Sequence, residues 1–339
     1  MTTTDARDYS GYGLDQLDRT IRKDPSGSKL KCVVKGCYHW LRPPTRKGCR
    51  GDVCPEHGIR VHSSGTFSYA DERRNLLDPE YFSVHIRHHP FKLETHRFGQ
   101  ENSEDALSFN VFRELQRAAC LKEVVKLCTG ISIQSEPTLL LWGLHIGENG
   151  VEPWDLLTKA RDRFESDLPV ERPKTEPDIA LFVPGQLILL IEAKFCSRNT
   201  FYVRDRKTKL FDLTFDQLLN LYQDPSLRIL DYAEAHRRDR IFHQLWRNMT
   251  FAEWMAAKDG AGTEAFHANL VREGCEQEVC SEFLSVMRSE HCHHFEQVSW
   301  EQIYQIAARC GLTRLCRYLE GKTTRLKPAF RIAATNRRS

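Results

Sequence analysis

Residues 176–194 read E-P-D-I-A-L-F-V-P-G-Q-L-I-L-L-I-E-A-K. Two apolar runs, 179–183 and 187–191, flank Pro184-Gly185, a turn signal, so the segment predicts a β-hairpin. Asp178 opens the first strand, and Glu192 and Lys194 close the second. Residues two apart in a strand share a face, and an apolar strand has no packing reason to end in Glu-Ala-Lys. A hard divalent cation such as Mg²⁺ or Mn²⁺ takes oxygen ligands from one or two carboxylates plus substrate phosphate. A lysine beside it can orient or deprotonate an attacking water and stabilise phosphate charge. The bland alternative is an exposed Glu192–Lys194 ion pair of little consequence.

Geometry constrains the loop. Were Pro184-Gly185 the whole of it, residue 178 would face 191 and Asp178 would point away from Glu192. An odd-numbered loop, or one bulge, restores a common face. Pro followed by Gly suits a type II turn, which fits tight hairpins poorly. A bulged or wider loop is therefore expected.

The pattern resembles the PD-(D/E)XK nuclease superfamily, the fold of many restriction endonucleases. The matching residues are Pro177-Asp178 and Glu192-Ala193-Lys194, with the acids 14 apart (192 − 178 = 14). The resemblance implies an α/β fold with a restriction-endonuclease-like αβββαβ core. It implies Asp178 and Glu192 as Mg²⁺ or Mn²⁺ ligands, with Lys194 positioning the water. It also implies a glutamate on the first core helix, for which Glu104 is the match. Some members carry Gln-x-x-x-Tyr on the following helix; Gln217 and Tyr222 stand one residue further apart than that.

A second cluster has different chemistry. Cys32 and Cys37, then Cys49 and Cys54, are each separated by four residues, and His57 follows in Cys54-Pro55-Glu56-His57-Gly58. Tetrahedral zinc needs four Cys or His ligands on two short knuckles. Cys32, Cys37, Cys54 and His57 form the first choice, with Cys49 as a substitute for Cys32 or His57. The alternative is a set of unrelated thiols in a loop. Residues 29–66 are dense in Cys, Gly, Pro and basic residues and poor in aliphatics, so they need a staple rather than a core of their own. Lys29, Lys31, Lys35, Arg42, Arg46, Lys47, Arg50 and Arg60 add phosphate-binding capacity.

The elements that must position these residues follow from periodicity. Residues 103–125 carry a helical pattern, with Leu107, Val111, Leu115 and Ala118 on one face and Asn102 or Ser103 as cap. Strands are expected at 138–142, 179–183, 187–191 and 266–271, and helices at 215–222, 227–257 and 300–319. The order from 103 to 271 follows the family's α-β-β-β-α-β. Arg237, Arg240, Gln244 and Arg247 make a helical stripe suited to a nucleic-acid backbone, or a merely solvated face. His291-Cys292-His293-His294 reads as an exposed loop rather than a metal site.

Net charge is +3, from 49 basic and 46 acidic residues, so no polyanionic partner is demanded by charge alone. Residues 1–19 lack the apolar core of a signal peptide, and the longest apolar run is too short to span a bilayer. The chain is read as soluble and cytoplasmic, without a membrane partner. Its twelve cysteines are then metal ligands or small buried groups rather than disulfides. Three segments are expected: a flexible tail at 1–28, a zinc-ribbon-like segment at 29–66, and the nuclease domain at 67–339. The expected function is Mg-dependent phosphodiester hydrolysis by a DNA endonuclease of restriction, defence or repair type, acting alone or as a homodimer. DNA is preferred to RNA as the partner. The competing readings are a catalytically idle nucleic-acid-binding module and a small-molecule enzyme on an unrelated α/β fold, the latter without any Gly-rich phosphate loop or nucleophile elbow to support it.

Overall fold

The structure is a computed structural model that describes residues 10–45, 50–89, 92, 97–147, 150–168, 174–204 and 213–332. Along the described chain the first elements are β1 (Leu30–Lys31), β2 (Trp40–Leu41), β3 (Ile59–His62), β4 (Thr66–Tyr69), α1 (Pro79–Arg87), α2 (Glu104–Arg117) and α3 (Leu121–Thr129). There follow β5 (Thr138–Leu141), β6 (Leu144–Gly147), β7 (Gly150–Pro153), α4 (Asp155–Phe164), β8 (Ile179–Val183), β9 (Leu187–Ala193) and β10 (Phe201–Val203). Next come α5 (Phe215–Leu221), α6 (Tyr232–Arg237), β11 (Arg240–Phe242), α7 (His243–Asp259), β12 (Glu264–Val271), α8 (Gln277–Leu284) and β13 (Phe295–Ser299). Helices α9 (Trp300–Arg309) and α10 (Thr313–Gly321) and the short pair β14 (Thr323–Thr324) and β15 (Lys327–Pro328) complete it. No described helix is long and apolar enough to cross a membrane.

The chain forms two compact units: one from Met1–Ser83, Glu94–Ala118 and Glu301–Ser339, the other from Val84–Leu93 and Ala119–Trp300. This division differs from the boundaries expected at 28/29 and 66/67. Residues 10–28 are described, and Leu17 is fully buried, bridging to Val34. The C-terminal segment returns to the first unit. Lys322, 1% exposed, donates to Asn75 and Glu101 there, and Glu101 is equally buried. Such a pair is costly to desolvate and holds only when its other lone pairs are met; Thr323 N donates to the second Glu101 oxygen.

The second unit is a mixed α/β assembly on a seven-stranded sheet, in the order β13-β12-β9-β8-β5-β6-β7. Strand β12 runs parallel to β9 and β13, while the other neighbours are antiparallel. Helix α7 packs on β9 and β12, with α4 against it, and α3 packs on β12 and β13. Leu140, Ala180, Ile188 and Leu190 from the strands meet Leu157, Phe164, Leu245, Met249 and Ala252 from the helices in one apolar layer.

Three helical expectations break into shorter pieces. The pattern at 103–125 is two helices, because Ala119 takes a left-handed φ of 53° and Leu121 starts again; no glycine marks that break, and the apolar face resumes beyond it. Ser103 does cap the first helix, its side chain accepting from Ala106 N at 3.1 Å. The pattern at 227–257 splits because β11 is drawn into pairing with β10, Tyr202 opposite Ile241. The helix expected at 300–319 divides at Gly311, where φ is +71°.

Candidate metal and acidic sites

The hairpin register settles the loop. Val183 pairs with Leu187, leaving Pro184, Gly185 and Gln186 as a three-residue loop, closed by Gln186 N donating to Val183 O at 3.0 Å. Gly185 has φ +68°, a left-handed conformation glycine adopts without steric cost. Because the loop is odd, Ile179 faces Ile191, and one step further Asp178 lies opposite Glu192. Cross-strand partners point to one side of the sheet.

The line of polar residues continues across the sheet. Glu192 is the partner of Asn269 in β12, and Asn269 is the partner of Gln297 in β13. Asn269 donates to Gln297 Oε1 at 3.1 Å and accepts from Asn199 at 3.0 Å. A polar row thus crosses strands that are otherwise almost wholly apolar and buried.

Glu192 is 3% exposed and collects most of the donors. Lys194 Nζ sits 2.5 Å from its Oε1, Gln244 Nε2 2.8 Å from the same oxygen, and Asn248 Nδ2 3.0 Å from Oε2. Gln244 and Asn248 are four apart in α7, hence on one helical face, and this face meets the end of β9. The Asp178 carboxylate accepts only from Ala193 N, at 2.9 Å, among the described hydrogen bonds. Burial, and then the charge of Glu192, push the Asp178 carboxyl up to about 8, against the pull of Lys194 and Lys92. Burial acts the same way on Glu192, but Lys194, with Arg247 and His267 behind it, holds that carboxyl below its ordinary value. Burial and Glu192 thus favour the neutral form of Asp178, and Lys194 favours the charged form of Glu192. His267, fully buried, donates through Nδ1 to Leu190 O, 2.9 Å away, and its Nε2 has no partner among the described residues.

The other sequence candidates fall elsewhere. Glu104 opens α2 in the first unit, whereas the carboxylate pair belongs to the second; the helix preceding the strand meander in the second unit is α3. Gln217 closes a capping box with Thr214, and Tyr222 donates to Glu165 at 3.0 Å. The arginine stripe is not one helix: Arg237 ends α6 and pairs with Glu234, and Arg240 lies in β11 and pairs with Glu282. Only Gln244 and Arg247 share α7. His291 to His294 form a 3-10 turn instead of the expected loop, and His294 Nδ1 meets Ala265 O at 2.8 Å. Sequence reasoning places Gln244 only in a stripe and misses Asn248 and Asn269. Their sole sequence signal is a Gln-x-x-x-Asn spacing and an Asn inside an apolar strand.

In the first unit, Cys32, Cys37, Cys54 and His57 bring their ligand atoms within 4.8 Å of one another. Cys37 Sγ and Cys54 Sγ are 3.7 Å apart, and His57 Nδ1 is 3.8 Å from Cys32 Sγ and 3.3 Å from Cys54 Sγ. A tetrahedral zinc ion would set such edges at about 3.7 Å for two sulfurs and about 3.5 Å for sulfur and nitrogen. The four side chains therefore have the geometry to hold a metal such as zinc. Each pair sits on a tight knuckle, Gly36 at φ +80° and Gly58 at φ +63°, with Gly58 N donating to Cys54 O at 2.8 Å. Burial raises the Cys32 and Cys37 thiols, a penalty that a bound dication reverses. Cys49, like Arg46 and Lys47, lies outside the described residues. Contrary to expectation, the segment does gather a small apolar cluster, with Leu17, Leu30, Val33, Ile59 and Phe67 around the cysteines.

Compared with protein-family models, with curated proteins and with solved structures, the chain finds no match.

Proposed function

We propose that this chain is a metal-dependent nuclease, a phosphodiester hydrolase related to the PD-(D/E)XK class, acting on DNA ahead of RNA in restriction, defence or repair. The observation that carries the reading is the hairpin register, whose last pair, Ile179 and Ile191, sets the adjoining Asp178 and Glu192 side by side, with Lys194 on Glu192. The order of elements in the second unit supports it: α3, β5, β8, β9, α7 and β12 follow an α-β-β-β-α-β sequence, with β6, β7 and α4 inserted after the first strand and β10, α5, α6 and β11 between β9 and α7.

Asp178 and Glu192 would hold Mg²⁺ or Mn²⁺. The donor set fits: two hard carboxylates, of which burial and then the charge of Glu192 raise Asp178, a penalty that a bound dication would offset. When bound, the ion supplies an acidified water and charge neutralisation at the scissile phosphate. Lys194, already at the carboxylate, would orient an attacking water and stabilise charge on the phosphate. Gln244 and Asn248 hold the Glu192 carboxylate in place from one helical face. The cysteine cluster would hold a structural zinc.

One observation favours the idle binding module instead. Lys194, Gln244 and Asn248 already satisfy Glu192 without a cation. Cleavage of circular and linear DNA separates the two readings. The wild type should nick or cut with Mg²⁺, bind with little cutting in Ca²⁺, and lose turnover but not binding in Lys194→Ala. Equal cleavage by both chains overturns the mechanism, and absence of cleavage with every divalent ion favours the idle module.

A further inference from the structure

The outward face of the β1–β2 hairpin carries chemistry that neither the metal cluster nor the acidic pair uses. Leu30 faces Leu41 and both are buried, whereas the next pair, Lys31 and Trp40, points outward. Trp40 is 41% exposed and Tyr38 83% exposed. Lys31 Nζ lies 5.7 Å from the Tyr38 ring centroid, which places Tyr38 on the same side as Lys31. Lys29, exposed, has the same strand parity as Lys31. Tyr38, Trp40 and Val53, all in the ribbon segment, are three of the four large apolar side chains exposed among the described residues.

We propose that this face binds single-stranded nucleic acid, unpaired bases stacking on Tyr38 and Trp40 while Lys29 and Lys31 hold the phosphates. The charge pattern favours a polyanion. Lys29 and Lys31 make no ion pair among the described residues. Of the nearby acids, Asp52 pairs with Arg42 and Glu56 with His39, and Asp24 accepts from Lys29 N and Ser26 Oγ. Contact surfaces for proteins are depleted in lysine, whereas single-strand sites combine cations with aromatic rings on which any base can stack. Duplex DNA hides its base faces, so it cannot use the rings. The platform is also anchored: Lys31 precedes Cys32 and Tyr38 follows Cys37, two of the cluster ligands. Fixing the rings in advance lowers the ordering cost of binding.

The test uses the full chain carrying Asp178→Ala, so that no strand is cut, without chelator. The probe is a labelled oligothymidylate of about 16 nucleotides, the upper end of single-strand site sizes. Tyr38→Ala and Trp40→Ala should each weaken binding at least about fivefold, with Trp40→Phe retaining most of it. Lys29→Ala with Lys31→Ala should flatten the slope of log K against log salt by about 1.4. A duplex of the same length should be indifferent to the aromatic variants, and the metal content of every variant should match the parent, excluding misfolding. Strand affinity unchanged by Tyr38→Ala and Trp40→Ala overturns the proposal, as does a parent chain that does not bind the strand; the face would then belong to a protein partner. Binding is read without turnover, so either reading can fail while the other stands.

Discussion

The cysteine cluster and the acidic pair are both candidate metal centres, yet the chain prepares them in opposite ways. Four soft ligands already converge in the first, at separations a single ion would set. In the second, only two carboxylates meet, and one is neutralised by its own lysine. The contrast follows from coordination chemistry. A structural zinc takes its whole shell from the protein. A hard dication keeps waters and borrows substrate oxygens, so the protein presents a partial shell and manages its electrostatics meanwhile. Completeness of ligands marks the first kind of site; a partial shell of two carboxyls pushed apart in pKa marks the second.

The widest separation between the two should appear on removing a cluster ligand. Zinc-finger peptides bind zinc with about 10–16 kcal/mol of apparent free energy, all of it folding energy. Cys37→Ser should therefore release about one zinc per chain and expose the ribbon to proteolysis, while Mg²⁺-dependent cleavage per folded second unit persists. Metal analysis by mass spectrometry beside limited digestion checks this; freshly purified wild type without zinc would remove one side of the comparison. The reciprocal variant is Asp178→Ala. It should leave the zinc content alone and reduce cleavage at least about a thousandfold, the several kcal/mol that a catalytic ion supplies. Residual cleavage within tenfold of wild type would mean that Asp178 holds no catalytic ion.

A smaller effect tests the amides that manage Glu192. Asn248→Ala strips a buried oxygen of its donor at a cost of about 1–3 kcal/mol, so cleavage should fall about tenfold to a hundredfold with unchanged zinc. Gln244→Ala, at a more exposed position, should cost less. Steady-state rates at saturating Mg²⁺ would show it, and wild-type rates in Asn248→Ala would reduce that contact to packing.

The separation of the two carboxyls also predicts a pH signature for the acidic pair. The Asp178 carboxyl is raised by burial and by Glu192 from 3.8 to about 8. The folded chain thus keeps a proton that the unfolded chain has lost over this window, and metal-free stability falls as pH rises through it. Binding of a dication expels the proton, so Mg²⁺ affinity should rise about tenfold per pH unit and level off near pH 8. Calorimetric titration in buffers of different ionisation heat should record close to one proton released at neutral pH, and none in Asp178→Asn. A flat affinity from about pH 6 to pH 8 would show that Asp178 is already ionised.

What the sequence made legible was local. Ligand types and knuckle spacing named the cysteine cluster, and strand parity called for an odd loop or a bulge if Asp178 and Glu192 were to share a face. The rest depended on contacts far apart in the chain. Nothing near Gln244 or Asn248 says that their helix will cross the end of β9, 52 residues from Glu192 for the first of them. The polar row through Asn269 and Gln297 exists only once β12 and β13 lie parallel in one register. The break at Ala119 was hidden because both helices present an apolar face, and periodicity does not register a left-handed residue between them.

The smallest effect separates two glutamines. The family resemblance points to a glutamine and a tyrosine on the helix after the hairpin, for which Gln217 and Tyr222 are the matches. In the structure Gln217 has a local duty: Thr214 N donates to its Oε1 at 2.8 Å, and Gln217 N donates to Thr214 Oγ1 at 3.2 Å. Tyr222 is buried against Glu165, with the hydroxyl occupied. Gln217→Ala removes one of the two capping bonds and leaves the threonine in place. Caps contribute about 0.5–2 kcal/mol, and half a capping box lies at the low end. We expect a shift of about 0.5 kcal/mol in stability, read from the denaturation midpoint, and no change in cleavage. The comparison is made against Gln244→Ala, which touches the carboxylate and should do the reverse: slow cleavage with little effect on stability. If Gln217→Ala instead slowed cleavage at unaltered stability, α5 rather than α7 would supply the amide to the reacting centre, and Gln244 would have no part in presenting Glu192.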